Sequence, residues 1–247
     1  MRFNSVFISS FLLASVALTA RPRSLRLNLV ERPANDSSDG IEYGDNWAGA
    51  VWHQANGTFE SVTGTVTVPD VWGPTNSSAT VAVGIDGDTC PNFAMVQVGV
   101  KATVTSNGTN YQAWHSWSPA DWVLVDIAIF ARNVIKLTLT ISDATSGFAI
   151  IENVSTGQSV RQQLQAGRSG YPLCQQNAEW LLEDFFLNYT QVPLSNFSMV
   201  TFTDAKAVGN DSRIYTPQGA IISDIKQDGQ VLTSVSVNDS SVTINHV

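Results

Sequence analysis

Charge is scarce in this chain of 247 residues: Asp, Glu, Lys and Arg together make up 14%, against 43% hydrophobic residues. Disorder needs the opposite balance, so most of the chain is expected to fold. Histidine is rare. His53, His115 and His246 are the three present, and none lies in a His-Glu-X-X-His zinc pattern. There is no Gly-X-Ser-X-Gly nucleophile elbow. A Ser-His-Asp triad stays open, because its members need not be adjacent, but no segment favours it. No glycine-rich loop follows a strand and opens a helix, so no phosphate cradle is expected. Basic residues are few and the net charge is −8, which argues against nucleic acid or an anionic membrane surface as partner. No apolar run is long enough to span a bilayer. Cysteine is reduced to Cys90 and Cys174.

What is present points to a secretory route. Arg2 precedes an apolar run from Val6 to Ala20 that has the shape of a signal h-region and ends Ala17-Leu18-Thr19-Ala20. Residues 1–20 read as a signal peptide, with a signal anchor as the alternative. Nine Asn-X-Ser/Thr sequons follow, at Asn35, Asn56, Asn76, Asn107, Asn153, Asn188, Asn196, Asn210 and Asn238. Use of these sites would place their loops at the surface. In an oxidising compartment the two cysteines most simply form one disulfide, and two buried free thiols are the alternative. Arg21, Arg23, Arg26 and Arg32 precede an acidic body, so residues 21–43 read as a short propeptide or linker. Residues 33–45 carry junction chemistry, and a domain is expected over 44–247. An acidic, lysine-poor body suits a secreted, extracellular protein working at low pH, where its carboxylates repel one another little.

From there the pattern is β. Val62, Val66 and Val68 alternate with Thr63, Thr65 and Thr67. Ile135, Leu137, Leu139 and Ile141 alternate with Lys136, Thr138 and Thr140. Residues 79–85, 122–130, 231–237 and 241–244 are further strand candidates, punctuated by glycine turns. Many short alternating strands mean an all-β sandwich or barrel. Only 178–187 admits a helical reading.

The chemistry left is that of carboxylates and amides. On a strand, Glu179, Leu181 and Glu183 share one face and Asp184 points the other way. A carboxylate on an aromatic-rich, charge-poor strand is costly to bury ionised, so it has a raised pKa or a dedicated partner. Such a group serves as a general acid or base. An edge strand with solvated acids is the alternative. A carboxylate pair flanked by Trp114 and Trp117 also fits a glycoside hydrolase or a carbohydrate binder.

Several segments in order narrow this choice. They are Asn46-Trp47-Ala48-Gly49, Val83-Gly84-Ile85-Asp86-Gly87-Asp88-Thr89-Cys90, Val96-Gln97-Val98-Gly99, Ala113-Trp114, and Cys174 followed by Asn177-Ala178-Glu179-Trp180-Leu181-Leu182-Glu183-Asp184-Phe185. From about Asn46 to the C-terminus the chain resembles the glutamic peptidases, or eqolisins. That resemblance implies an antiparallel β-sandwich of two large sheets, of concanavalin A-like jelly-roll type. It implies a catalytic pair at Gln97 and Glu183, a Cys90–Cys174 disulfide, no metal or cofactor, and protein or peptide substrates. Asp86, Trp114 and Phe185 become candidate substrate-binding residues, with Asp86 alternatively a turn cap. The implied chemistry is water attack with Glu183, ionised in mildly acidic medium, as general base and Gln97 as oxyanion donor. The chain departs from the family at Ala82, Lys101, His115 and Ser116, where members commonly carry Trp, Asp, Tyr and Glu. The departures bear on substrate preference, pH optimum and catalytic strength. A catalytically weak or inactive sandwich that binds glycans or a protein partner is the alternative. A monomer is the default, with no membrane contact once the signal is removed.

Overall fold

The alternating runs become strands. In the computed structural model the described residues are 40–120, 122–167, 170–187 and 190–247. The expected signal peptide and most of the 21–43 segment lie outside them, as do Asn35 and Asn188. In chain order the strands are β1 (Ile41–Gly44), β2 (Trp47–His53), β3 (Phe59–Thr67), β4 (Ser78–Asp86), β5 (Met95–Thr105), β6 (Gly108–Trp117) and β7 (Val123–Val125). Next come β8 (Val134–Asp143), β9 (Ser146–Asn153), β10 (Gln158–Gln165), β11 (Asn177–Glu183), β12 (Phe186–Leu187) and β13 (Thr190–Gln191). The last are β14 (Met199–Gly209), β15 (Ile214–Tyr215), β16 (Ile221–Gln227), β17 (Gln230–Val231), β18 (Thr233–Val237) and β19 (Val242–His246). No helix occurs among the described residues.

One sheet runs β1-β16-β2-β11-β4-β5-β6-β7, with β17 on β16. The other runs β10-β9-β8-β3-β14-β19-β18, with β15 on β14. Pairing is antiparallel except between β1 and β16. The sheets form a sandwich. In β8, Ile135, Leu137, Leu139 and Ile141 point inward and their neighbours outward. Trp180 crosses from β11 into the core, where its indole N–H donates to the Thr63 carbonyl of β3 at 2.8 Å.

Two expectations are corrected. The junction read over 33–45 contains an edge strand, because residues 41–44 pair in parallel with Ile222–Ile225. The strand candidate over 122–130 shrinks to β7, because the Ile127 N–H turns back to the Val125 carbonyl and ends the ladder at the sheet edge.

Strands β4 and β11 are buried along their whole length. Their inner faces meet the second sheet. Their outer faces are covered by a separate cluster of Ala82, Trp114 and Leu181, with Trp47 and Trp122 packed on it. Covered on both faces, these two strands lose the apolar–polar alternation of a half-solvated antiparallel sheet.

The Cys90–Cys174 disulfide is present and spans 84 residues. It ties the β4–β5 connection to the turn entering β11, and a loop of that length stabilises by roughly 4–5 kcal/mol through chain entropy. One sequon is disabled by the fold. Asn153 is fully buried, and its amide nitrogen donates to the Ala128 carbonyl and to Asn133 Oδ1, both at 2.9 Å. Glycopeptide mass spectrometry of protein made through a eukaryotic secretory route is expected to find no glycan at Asn153. Exposed Asn56, Asn76, Asn107, Asn210 and Asn238 stay open to modification. Glycan at Asn153 on folded protein would contradict the packing of β9.

Candidate active site

Register places the candidate residues on one face. Glu179 of β11 stands opposite Gly84 of β4, Gly84 opposite Gln97 of β5, and Gln97 opposite Ser116 of β6. Glu183 lies four residues beyond Glu179, so it shares that face. It stands opposite Thr80, which stands opposite Lys101. Gln97 and Glu183 both line one cleft, together with Met95, Ser116, Ser118, Pro119, Ala120, Trp122, Phe185 and Phe186.

Gln97 is 2% exposed, and its Nε2 donates to Glu179 Oε1 at 3.1 Å. One amide hydrogen is thereby fixed on Glu179, leaving the second N–H and the carbonyl oxygen for the cleft. Gly84 makes this possible. A Cβ there would sit 2.3 Å from Glu179 Oε1 and 2.9 Å from Gln97 Cγ, so glycine is what lets the two side chains close over the strand between them.

Glu183 is 3% exposed and its Oε1 has no hydrogen-bond partner. Burial, with the Asp184 carboxylate adding to it, pushes the Glu183 carboxyl up to about 8. Burial likewise holds Glu179 well above the usual carboxylate range, against the opposing bond from Gln97. In the resting cleft burial therefore favours the neutral acid over the carboxylate that general-base attack needs. Asp184 follows on the other side of the chain. Its Oδ2 accepts from Gln191 and Gln227, and burial raises it to about 7.

The three expected substrate-binding residues separate. Phe185 lines the cleft. Trp114 is fully buried and does not; it supports Trp122, whose ring stacks on it at 3.9 Å and 7°. Asp86 is also off the cleft wall. It sits at the end of β4 with φ 62°, and its carboxylate accepts backbone N–H groups from Gln175, Gln176 and Asn177 at 2.7, 2.9 and 3.2 Å. It caps the turn that leads into β11, and those bonds explain the left-handed backbone. Trp122 and Phe186 were not singled out from sequence. Trp122 read as a strand start, and nothing in its neighbours signals a loop folding back over β6.

The fold and the cleft thus define an all-β sandwich with a carboxyl and a carboxamide on the walls of one cavity. Residues 45–246 match the model of the peptidase A4 family, and the chain belongs to that family of glutamic peptidases. It is 38% identical over 228 residues to aspergillopepsin-2 of Aspergillus niger, covering 83% of this chain and 79% of that protein. It is 34% identical over 210 residues to scytalidopepsin B of Scytalidium lignicola, covering 82% and 78%. A crystal structure of scytalido-glutamic peptidase with a transition state analogue inhibitor superposes with a TM-score of 0.75 at 33% identity, covering 82% of this chain and 98% of that one.

Proposed function

We propose that this chain is a secreted acid endopeptidase in which Glu183 and Gln97 act on one water and one scissile carbonyl. The observation that carries the reading is their joint placement on the walls of a single cleft, each almost fully buried. The Cys90–Cys174 bridge supports an oxidising destination. Peptides or proteins are the substrates, as they are for the relatives.

In the cycle, the Glu183 carboxylate takes a proton from water as the water oxygen bonds to the carbonyl carbon. The free Gln97 N–H donates to the developing oxyanion. Glu183 then returns the proton to the leaving nitrogen as the C–N bond breaks. Starting this cycle near pH 4 requires the carboxyl to fall from about 8 to about 4, a cost of about 5 kcal/mol. Hydrogen bonds to a charged group contribute about 1.5–3 kcal/mol each, so two to four of them at Glu183 offset that cost. Oε1 is free to accept one.

The raised pKa favours a second order of events in the same site. Neutral Glu183 first protonates the scissile carbonyl oxygen, and its carboxylate then receives the proton of the attacking water. A profile of kcat/KM against pH, from 2 to 9 on a peptide without ionisable side chains, decides between them. An acid start predicts activity that is highest in acid and lost as pH rises through the Glu183 pKa. A base start predicts activity rising with pH through that pKa as it stands in the free enzyme. Absence of hydrolysis at every pH would overturn the peptidase reading.

A further inference from the structure

Against two aromatic walls of the cleft lies a cation that the proposed chemistry does not use. Lys101 is half-buried on β5, on the same face as Gln97 and in the same cross-strand row as Thr80 and Glu183. Its ammonium lies 5.1 Å from the centre of the Phe185 ring and 5.4 Å from that of Trp122. Both rings line the cleft. Among the described residues no carboxylate pairs with it. Burial lowers its pKa from the ordinary value, and no neighbouring carboxylate offsets this. Thr80, between Lys101 and Glu183 in the row, is fully buried, and its hydroxyl also has no partner. A half-buried cation with no paired carboxylate is costly unless a ligand supplies the opposite charge.

We propose that Lys101 sets the charge preference of the cleft, its ammonium receiving a substrate carboxylate in the subsite walled by Trp122 and Phe185. The inference rests on the peptidase reading and deepens it. The spacing fits. Lys101 and Glu183 are two strands apart, about 10 Å between backbones, and an extended peptide advances about 3.4 Å per residue. A substrate carboxylate one to three residues from the scissile bond therefore reaches Lys101 while the carbonyl lies at Glu183. The rings hold the ammonium in place by cation–π attraction and exclude water around the pair. The carboxylate has two possible sources, an Asp or Glu side chain or the free C-terminus of the substrate.

The test is a set of peptides with Glu, Gln or Lys at each of the three positions on either side of the scissile bond, each made as free acid and as amide. At pH 5 the glutamate side chain is largely ionised. Wild-type protein is expected to prefer a Glu peptide over its Lys counterpart by about 10- to 100-fold in kcat/KM at one position. Lys101→Met is expected to flatten that ratio and Lys101→Glu to invert it. A preference kept by the amides assigns the carboxylate to a side chain; one confined to the free acids assigns it to the chain end. Equal rates for Glu and Lys peptides in wild-type protein, or an unchanged ratio in Lys101→Met, would overturn the proposal. Calorimetric binding of the same peptides to Glu183→Gln separates this idea from the catalytic one. A charge ranking that survives there supports the Lys101 subsite whatever the role of Glu183. Charge-blind binding alongside intact wild-type hydrolysis sinks the subsite alone.

Discussion

Glu183→Gln is expected to lower kcat/KM by about a thousandfold or more while making the protein more stable at neutral pH. The rate loss follows from the role: a positioned acid or base contributes about 10²–10⁴-fold, and here the same group serves both halves of the cycle. The substitution keeps volume and shape, so the cleft and its aromatic walls stay in place. The stability gain has a separate cause. Glu183 is buried with one oxygen unpartnered, and ionising it there is what raises its pKa to about 8. Glutamine carries no charge to desolvate. Activity and stability moving in opposite directions are the signature of a group retained for chemistry rather than for folding. A loss below tenfold in kcat/KM, with the variant folded by circular dichroism, would remove Glu183 from the reaction.

The second large effect is on the whole fold. Glu183 rises from 4.5 to about 8 and Asp184 from 3.8 to about 7, both chiefly through burial. Raised carboxyl pKa values mean that the folded state binds more protons than the unfolded state between those limits. Stability is then greatest below about pH 4 and is lost as pH rises through the window up to about 8. Taken singly the two shifts correspond to about 5 and about 4 kcal/mol. They are neighbours and do not simply add, but several kcal/mol is a large part of the 5–15 kcal/mol that holds an ordinary domain. Thermal unfolding is expected to show a midpoint falling by about 10 °C or more between pH 4 and pH 8. Glu183→Gln should shrink that fall. A midpoint that is flat or rises over the same window would show that these carboxyls are not desolvated as described.

The sandwich was legible because its signals are local. The Val/Thr alternation of β3 and the Leu/Thr alternation of β8 state which face is buried without reference to any other strand. Strand β11 was harder, since a segment buried on both faces loses the period of two and 178–187 also admits a helix. Its pairing with β2 and β4, not its own residues, decides the matter. Glu179 and Glu183 were readable as sharing a face, but the Glu179–Gln97 bond was not. It depends on Gly84 lying between them in register, a fact of three strands at once. Trp122 was invisible for the same reason, because stacking on Trp114 fixes it and no pattern in its own segment does. Asp86 shows half of the converse. Its glycine-flanked position suggested a cap for its own turn, but its carboxylate instead caps the distant turn before β11, which no local pattern shows. A raised pKa for a carboxyl on this strand was legible from its aromatic, charge-poor neighbours, but how far burial raises Glu183 depends on residues scattered over the chain.

The most direct measurement is a double-mutant cycle on kcat/KM for one peptide substrate, using Gln97→Ala, Glu183→Gln and the combination. Residues that act as a unit on one water and one carbonyl give single losses that do not multiply. The account predicts a double variant no slower than about tenfold below the worse single variant. Losses that multiply in full, or near wild-type turnover in either single variant, would contradict it.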